Sequence, residues 1–303
     1  MSGKRQDTGS EVQTRRLVGL IGANIQHSLA PALHEDAFAA AGIAGHYHLM
    51  DLDHLPGRRL DEMLTAVRAL GFAGVNVTYP CKEAAVALMD ELGPEARQIG
   101  AINTVTFHGG RMTGHNTDHV GFRQSFEETF GRAAIAGQSA LLVGAGGAGR
   151  AVAFALIELG ADSLLVHDQD AARAEALVAG LTTSFGRRCA RIAREPGAAV
   201  SEASGVVNAT QVGMLGFPGI AVPVDAIETR HWVMDVIYTP LETELVERAR
   251  VKGARAAGGG AMCVHQAVEA FRLFTGIAPD VARMRRTFMA AASRRDHDHA
   301  VAR

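Results

Sequence analysis

The sequence predicts an α/β fold in two domains, and three observations carry that expectation. Apolar runs of strand length alternate with helix-like stretches along most of the 303 residues, the pattern of largely parallel sheets flanked by helices. A hydrophobic content of 48% over that length supplies two modest cores more readily than one large one. A glycine-rich turn, Gly144-Ala145-Gly146-Gly147-Ala148-Gly149, opens a second strand–helix unit in mid-chain.

Taken in order, LVGLIG (17–22) reads as a short apolar strand and Pro31 to Ala41 as a helix stopped by Gly42. HYHLMDL (46–52) is strand-like, and Leu60 to Leu70 is helical up to Gly71. GVNVTYP (74–80) is a strand cut off by Pro80, since proline has no N–H for the ladder. A helix is expected from Lys82 to Leu92. AINTVTFHGGRMTGHNTD (101–118) gives two short strands around a Gly-Gly hairpin turn. The pattern is helical again to about Phe130, and GRAAIAGQ (131–138) has the composition of a loop. The second unit runs from Ala140 through GVVNAT (205–210) and WVMDVIY (232–238) to about Gly260. Ala261 to Thr275 and Asp280 to Ala292 are helical patterns expected to pack back on the first unit. The expected domains are therefore 17–120 completed by 261–292, and 121–260. Residues 1–16 and 293–303 are expected as flexible tails.

Bulk properties narrow the function. Thirty basic residues against 32 acidic ones give a net charge of −2, so no nucleic-acid partner is expected. The longest apolar runs are short and interrupted, which predicts no membrane-spanning helix. MSGKRQDTGSEVQTRR (1–16) lacks an apolar signal core, so a cytoplasmic chain is expected. Cys81, Cys189 and Cys263 are too widely spaced for a disulfide framework or a metal site, and a reducing compartment fits them. Most of the 13 histidines are scattered, and no metal is expected.

Gly144, Gly146 and Gly149 satisfy the G-x-G-x-x-G spacing between a strand and a helix. The first permits a tight turn, the second lets backbone approach a pyrophosphate, and the third lets helix pack on strand; the helix N-terminus adds free N–H groups and partial positive charge. An acidic residue about 20 positions on completes the dinucleotide fingerprint. Here it is Asp168, with Asp170 close behind and no arginine before Arg173. A carboxylate there accepts bonds from the ribose hydroxyls and repels a 2′-phosphate, which favours NAD over NADP. The alternative role for Asp168 is a cap on the helix that starts near Ala171.

Seven segments together then resemble the ordered motif set of the shikimate dehydrogenase family. They are NVTYPCK (76–82), GAINTV (100–105), GHNTDHVGF (114–122), GAGGAGRA (144–151), NATQVGM (208–214), DVIYTPLETEL (235–245) and MCVHQAVEAFRLFTG (262–276), spanning nearly the whole chain. Within that family, Asp168 is similar to the NAD-using quinate/shikimate dehydrogenase branch. The resemblance implies two α/β domains around a cleft and reversible oxidation of the 3-hydroxyl of a cyclic hydroxy acid, by hydride transfer to a nicotinamide. It implies Lys82 and Asp118 as the catalytic pair, with Ser28, Thr78, Asn103 and Gln266 holding the carboxylate and ring hydroxyls. It places the glycine turn with Gly147 and Ala148, Arg173, Asn208, Thr210, Met214, Val236, Gly259 and Met262 around the dinucleotide. Tyr238 reads equally as a cleft residue and as a packed core aromatic.

The chemistry suits these residue types. Alcohol oxidation removes a hydride from carbon and a proton from oxygen, so a base must stand beside the hydroxyl. Lys82 can take or relay that proton with Asp118 sharing the load, and in reverse its ammonium polarises the ketone. Which of the two accepts the proton is left open. A solvated lysine at a helix start would sit poorly beside the helix dipole, and Asp118 can also serve as the next helix's cap. One departure from the family concerns the carboxylate site in Gln26-His27-Ser28-Leu29-Ala30-Pro31, where Ala30 stands in place of a second hydroxyl residue. A lost charge-assisted bond is worth about 1.5–3 kcal/mol, so substrate choice among shikimate, quinate and an analogue such as aminoshikimate stays open. A non-catalytic dinucleotide- or metabolite-binding module is the rival reading. Monomer and homodimer are both compatible with the sequence.

Overall fold

The computed structural model describes residues 15–186 and 188–301, with side chains described as far as Asp296. Its strands fall into two six-stranded sheets. The first holds β1 (Arg15–Gly22), β2 (Ala44–Asp51), β3 (Gly74–Val77), β4 (Glu91–Leu92), β5 (Thr104–His108) and β6 (Arg111–His115), in the order β2-β1-β3-β5-β6-β4. β1 runs parallel to both β2 and β3, and the β5–β6 hairpin adds antiparallel strands beside β3. Helices α1 (Ala30–Ala40), α2 (Leu60–Ala69) and α3 (Pro94–Ile99) connect these strands.

Helix α4 (Thr117–Thr129) leads into the second sheet: β7 (Ser139–Val143), β8 (Ser163–His167), β9 (Ala190–Ile192), β10 (Gly205–Asn208), β11 (Trp232–Asp235) and β12 (Arg255–Ala257). All its neighbours are parallel, in the order β9-β8-β7-β10-β11-β12. Its connecting helices are α5 (Gly147–Glu158), α6 (Ala171–Phe185), α7 (Pro196–Glu202) and α8 (Glu244–Val251). The order reverses between β7 and β10, and such a switch point opens a ligand crevice at the carboxyl ends of the strands. These strands are short and apolar because both faces are covered, as Leu141, Leu142, Leu164, Val206 and Val233 are all fully buried.

Two last helices, α9 (Gly260–Thr275) and α10 (Val281–Val301), return to the first sheet. Val264, Ala267, Phe271 and Phe274 of α9 and Phe288 of α10 share one core with Leu33 and Phe38 of α1. Phe122 and Phe126 of α4 pack instead into the second core, where Trp232 meets the Phe126 ring edge-on. The chain therefore crosses between the cores at α4 and returns at α9.

Three expectations need correction. Residues 82–92 form no α-helix: a 3-10 turn, Ala84–Leu88, is followed directly by β4. The reason is a long-range contact: the Lys82 carbonyl that would accept from Val86 is taken by the Ile102 N–H at 2.9 Å. Arg15 and Arg16 belong to no tail but open β1, in register with Ala44 and Gly45; residues 1–14 lie outside the described residues. Residues 293–301 are helical, since α10 runs unbroken to Val301. Ala291 and Ala292 stay buried there, and Arg295 is only 8% exposed, so the helix keeps an inward face beyond the expected end. Residues 302–303 lie outside the described residues.

Candidate active site

Lys82 sits just beyond β3, where Thr78 N–H donates to Ile21 and Cys81 N–H to Thr78. Asp118 lies in the first turn of α4, whose cap is Asn116: its Oδ1 accepts from His119 N–H at 3.1 Å. Asp118 is thereby spared for another partner. Lys82 Nζ donates to Asp118 Oδ2 at 2.5 Å, with side chains 17% and 9% exposed. Asn103 Nδ2 donates to Asp118 Oδ1 at 2.9 Å and to Thr117 Oγ1 at 2.9 Å, while its own Oδ1 accepts from Thr117 N–H. Behind it, Asn76 Nδ2 donates to the Asn103 carbonyl and to Thr104 Oγ1, and Tyr47 donates to Asn76 Oδ1. Buried polar groups that are this fully satisfied hold one geometry. Thr117 also donates toward Gln266 Oε1 at 3.5 Å, bringing α9 to the same place.

On the far side, the loop after β1 carries Ser28. Its hydroxyl oxygen accepts from Ala30 N–H at 3.3 Å, which leaves the O–H free to donate. That loop is shaped by Asp51, only 3% exposed, whose Oδ2 accepts from Ile25 N–H and Gln26 Nε2 and whose Oδ1 accepts from Asp53 N–H. Burial opposes ionisation of Asp51, but the bonds from Gln26, Asp53 and Ile25 outweigh it and hold its pKa below the usual value. Thr78 stands against Gly22, where an added Cβ would lie 2.3 Å from the threonine methyl. Tyr238 lies against the thiol of Cys263, which Asp118 also influences; burial is the larger cause pushing that thiol up to about 12. No hydrogen bond among the described residues joins Ser28 to the Lys82 network.

The glycine turn faces this cluster from the second domain. Gly144 has φ +102°, and a Cβ on Gly149 would lie 1.9 Å from the Gly144 carbonyl oxygen, so neither position tolerates a side chain. α5 begins at Gly147 with no side-chain cap, leaving its first N–H groups for a ligand. Gly146 presents open space bordered by Arg173 Nη1 and Glu83 Oε1. A cradle of this shape fits a pyrophosphate. Asp168 closes β8, accepting from Ala145 N–H at 2.7 Å and from Asp170 N–H at 2.9 Å. The cap of α6 is Asp170, which accepts from Ala172 N–H, so Asp168 is not the cap.

Around the crevice, Asn208 is fully buried. Its amide donates to the Val212 carbonyl and Asp235 Oδ1, and its oxygen accepts from Thr210 N–H and Oγ1. Asn208 therefore shapes the loop toward Met214, and its side chain offers no free group to a ligand. Thr210 turns its methyl toward Gly144. Val236 and Gly259 meet backbone to backbone: a Cβ on Gly259 would lie 2.0 Å from the Val236 oxygen. Met262 is 6% exposed and belongs to the second core. Sequence reasoning missed Asp51, Asn76, Thr117 and Asp235, which position their neighbours by hydrogen bonds; all but Asp51 lay within a recognised segment. Among the described residues no helix is long and apolar enough to cross a membrane.

A parallel six-stranded sheet whose glycine turn lies against a lysine–aspartate pair of the first domain defines the class, a two-domain dinucleotide-dependent dehydrogenase. The shikimate dehydrogenase substrate binding domain profile matches residues 20–105, and the shikimate 5'-dehydrogenase C-terminal domain profile matches 262–287. The quinate/shikimate dehydrogenase (NAD(+)) of Corynebacterium efficiens is 46% identical over 278 residues, covering 90% of this chain and 97% of that one. A shikimate dehydrogenase (NADP(+)) of Streptomyces avermitilis is 44% identical, covering 90% and 94%. The structure of quinate dehydrogenase from Corynebacterium glutamicum in complex with NAD superposes with TM-score 0.85 at 43% identity, covering 92% and 100%. The chain belongs to the shikimate dehydrogenase family.

Proposed function

We propose that the protein catalyses the reversible, NAD-dependent oxidation of the 3-hydroxyl of shikimate or quinate to the ketone. The observation that carries this reading is the largely buried Lys82–Asp118 contact, with side chains 17% and 9% exposed, standing directly beside the glycine turn with the Lys82 stem against Gly147. A binding module has no use for a desolvated ion pair at that point, because such a pair adds little net stability. When bound, NAD supplies the hydride acceptor, held by the turn at Gly144, Gly146 and Gly149 with Asp168 and Arg173 at its adenosine end.

The residues of the chain handle the proton. Asn103 donates to Asp118 Oδ1 and so leaves Oδ2 for Lys82. In the oxidative direction the hydroxyl proton passes to this pair as the C–H hydride leaves. In the reductive direction the Lys82 ammonium donates to the ketone oxygen and stabilises the negative charge that develops there. Ser28 donates to the ring carboxylate, and Gln266, Thr78 and Tyr238 contact the ring hydroxyls and carboxylate. The reduced cysteines suit a cytoplasmic setting, and a small-molecule partner suffices for the reaction. Steady-state assays with shikimate and quinate, each with NAD and with NADP, test the reading. Turnover with NAD supports it; no turnover with any pairing overturns it.

A further inference from the structure

The turn that carries Tyr238 belongs by sequence to the second sheet but is gripped by the first domain. After β11 the chain runs through Ile237, Tyr238, Thr239 and Pro240, and Tyr238 and Leu241 pack against the first-domain core. The Tyr238 ring meets Phe288 of α10 at 6.0 Å between centroids. Two turns of helix further on, Arg295 reaches back to the same segment. Its Nη1 donates to Thr239 Oγ1 at 2.7 Å and its Nη2 to the Tyr238 carbonyl at 2.9 Å. Asp296 accepts from Arg295 Nε at 2.9 Å and, through its other oxygen, from Leu241 N–H at 3.4 Å. The guanidinium is nearly buried and its charge is balanced by Asp296, 2.8 Å away. A planar fork used this way fixes backbone direction as a single ammonium cannot.

We propose that Arg295, with Asp296, is a positioning residue for the reaction. It clasps the Tyr238–Leu241 turn from the C-terminal helix and thereby sets the Tyr238 hydroxyl toward the ring acid beside Asp118. The clasp acts through Tyr238 and touches no substrate itself. It rests on the proposed role of Tyr238, which packs against the core containing Cys263 of α9, three residues before the Gln266 that Thr117 joins to the Asp118 network. It also gives the helix a reason to continue past Ala292 in a stretch that reads as a polar tail, since Arg295 and Asp296 have partners in the Tyr238–Leu241 turn.

The experiment is a double-mutant cycle of Arg295→Ala and Tyr238→Phe, with Arg295→Lys as the milder change. KM and kcat for shikimate and quinate, NAD affinity by titration, and Tm are measured for each. Arg295→Ala is expected to raise the KM for the ring acid about tenfold while NAD affinity stays within about twofold. Arg295→Lys should fall between the wild type and Arg295→Ala. In the Tyr238→Phe background, Arg295→Ala should add less than about twofold, since both changes act through one hydroxyl. Additive effects in the cycle, an unchanged KM, or a parallel loss of NAD affinity and Tm would each overturn the proposal. Tyr238→Phe with wild-type KM would instead remove Tyr238 from the substrate site and the clasp's purpose with it. If Arg295→Ala does not fold, Arg295→Lys carries the same cycle.

Discussion

Asp235→Asn is the substitution whose outcome the structure fixes most closely. Asp235 ends β11 with no exposed surface, accepting from Ile237 N–H at 3.0 Å, Thr243 Oγ1 at 2.8 Å and Asn208 Nδ2 at 3.1 Å. Burial nonetheless dominates and raises its pKa from 3.8 to about 6. At about 1.36 kcal/mol per pH unit this displacement amounts to roughly 3 kcal/mol. Between those two values the native chain binds more proton at this site than the unfolded chain does. The contribution is therefore present in full below pH 3.8 and is lost as pH rises through about 6. Asparagine has the same shape and does not titrate; its amide faces one donor wrongly, which adds a penalty that is constant with pH. Urea unfolding of both proteins between about pH 4.5 and 7 should show the stability difference moving in favour of the variant by about 2 kcal/mol. A difference that stays flat across that range would refute the reasoning, because it would mean the three donors keep the carboxylate ionised at its ordinary pKa.

Lys82→Ala should lower turnover by about 10²–10⁴ with NAD affinity nearly unchanged, as steady-state kinetics and titration will show; near-normal turnover removes Lys82 from the chemistry. Asp168→Ala should weaken NAD more than NADP. Because the change also frees the Ala145 N–H, the ratio of the two affinities is the diagnostic quantity, and equal losses would show that Asp168 does not read the ribose.

The legible parts of this molecule were those governed by local rules. Strand–helix alternation and the glycine spacing located β7, α5 and β8, because tight turns and close packing admit few residue types. The hairpin at Gly109-Gly110 was equally plain, since both glycines sit at positive φ. What escaped was set by long-range hydrogen bonds. The Lys82 carbonyl bonds to Ile102, and this contact, not propensity, denies residues 82–92 a helix. Arg295 falls in the stretch 293–303 expected as a flexible tail, and its partners lie more than 50 positions earlier in the chain. Within the site, Lys82, Asp118, Asn103 and Gln266 came together in one network. The side chain of Asn208 spends three bonds on its own loop and one on Asp235 of β11, a role that its place in the NATQVGM motif did not reveal.

The contact between Gly147 and Lys82 has a bearing on redesign. A Cβ on Gly147 would stand 2.9 Å from the Lys82 Cβ and 3.1 Å from its Cδ, both on the stem and not at a flexible tip. The absence of a side chain at this glycine thus serves the lysine of the opposite domain as much as any phosphate. Under the proposed function an engineer who widens cofactor choice can work at Asp168, Asp170 and Arg173, whose hydrogen bonds and ion pairs among the described residues do not involve Lys82. A side chain at Gly147 would displace the Lys82 stem, so under the proposed function a swap meant for nucleotide preference would register as lost turnover with every nucleotide.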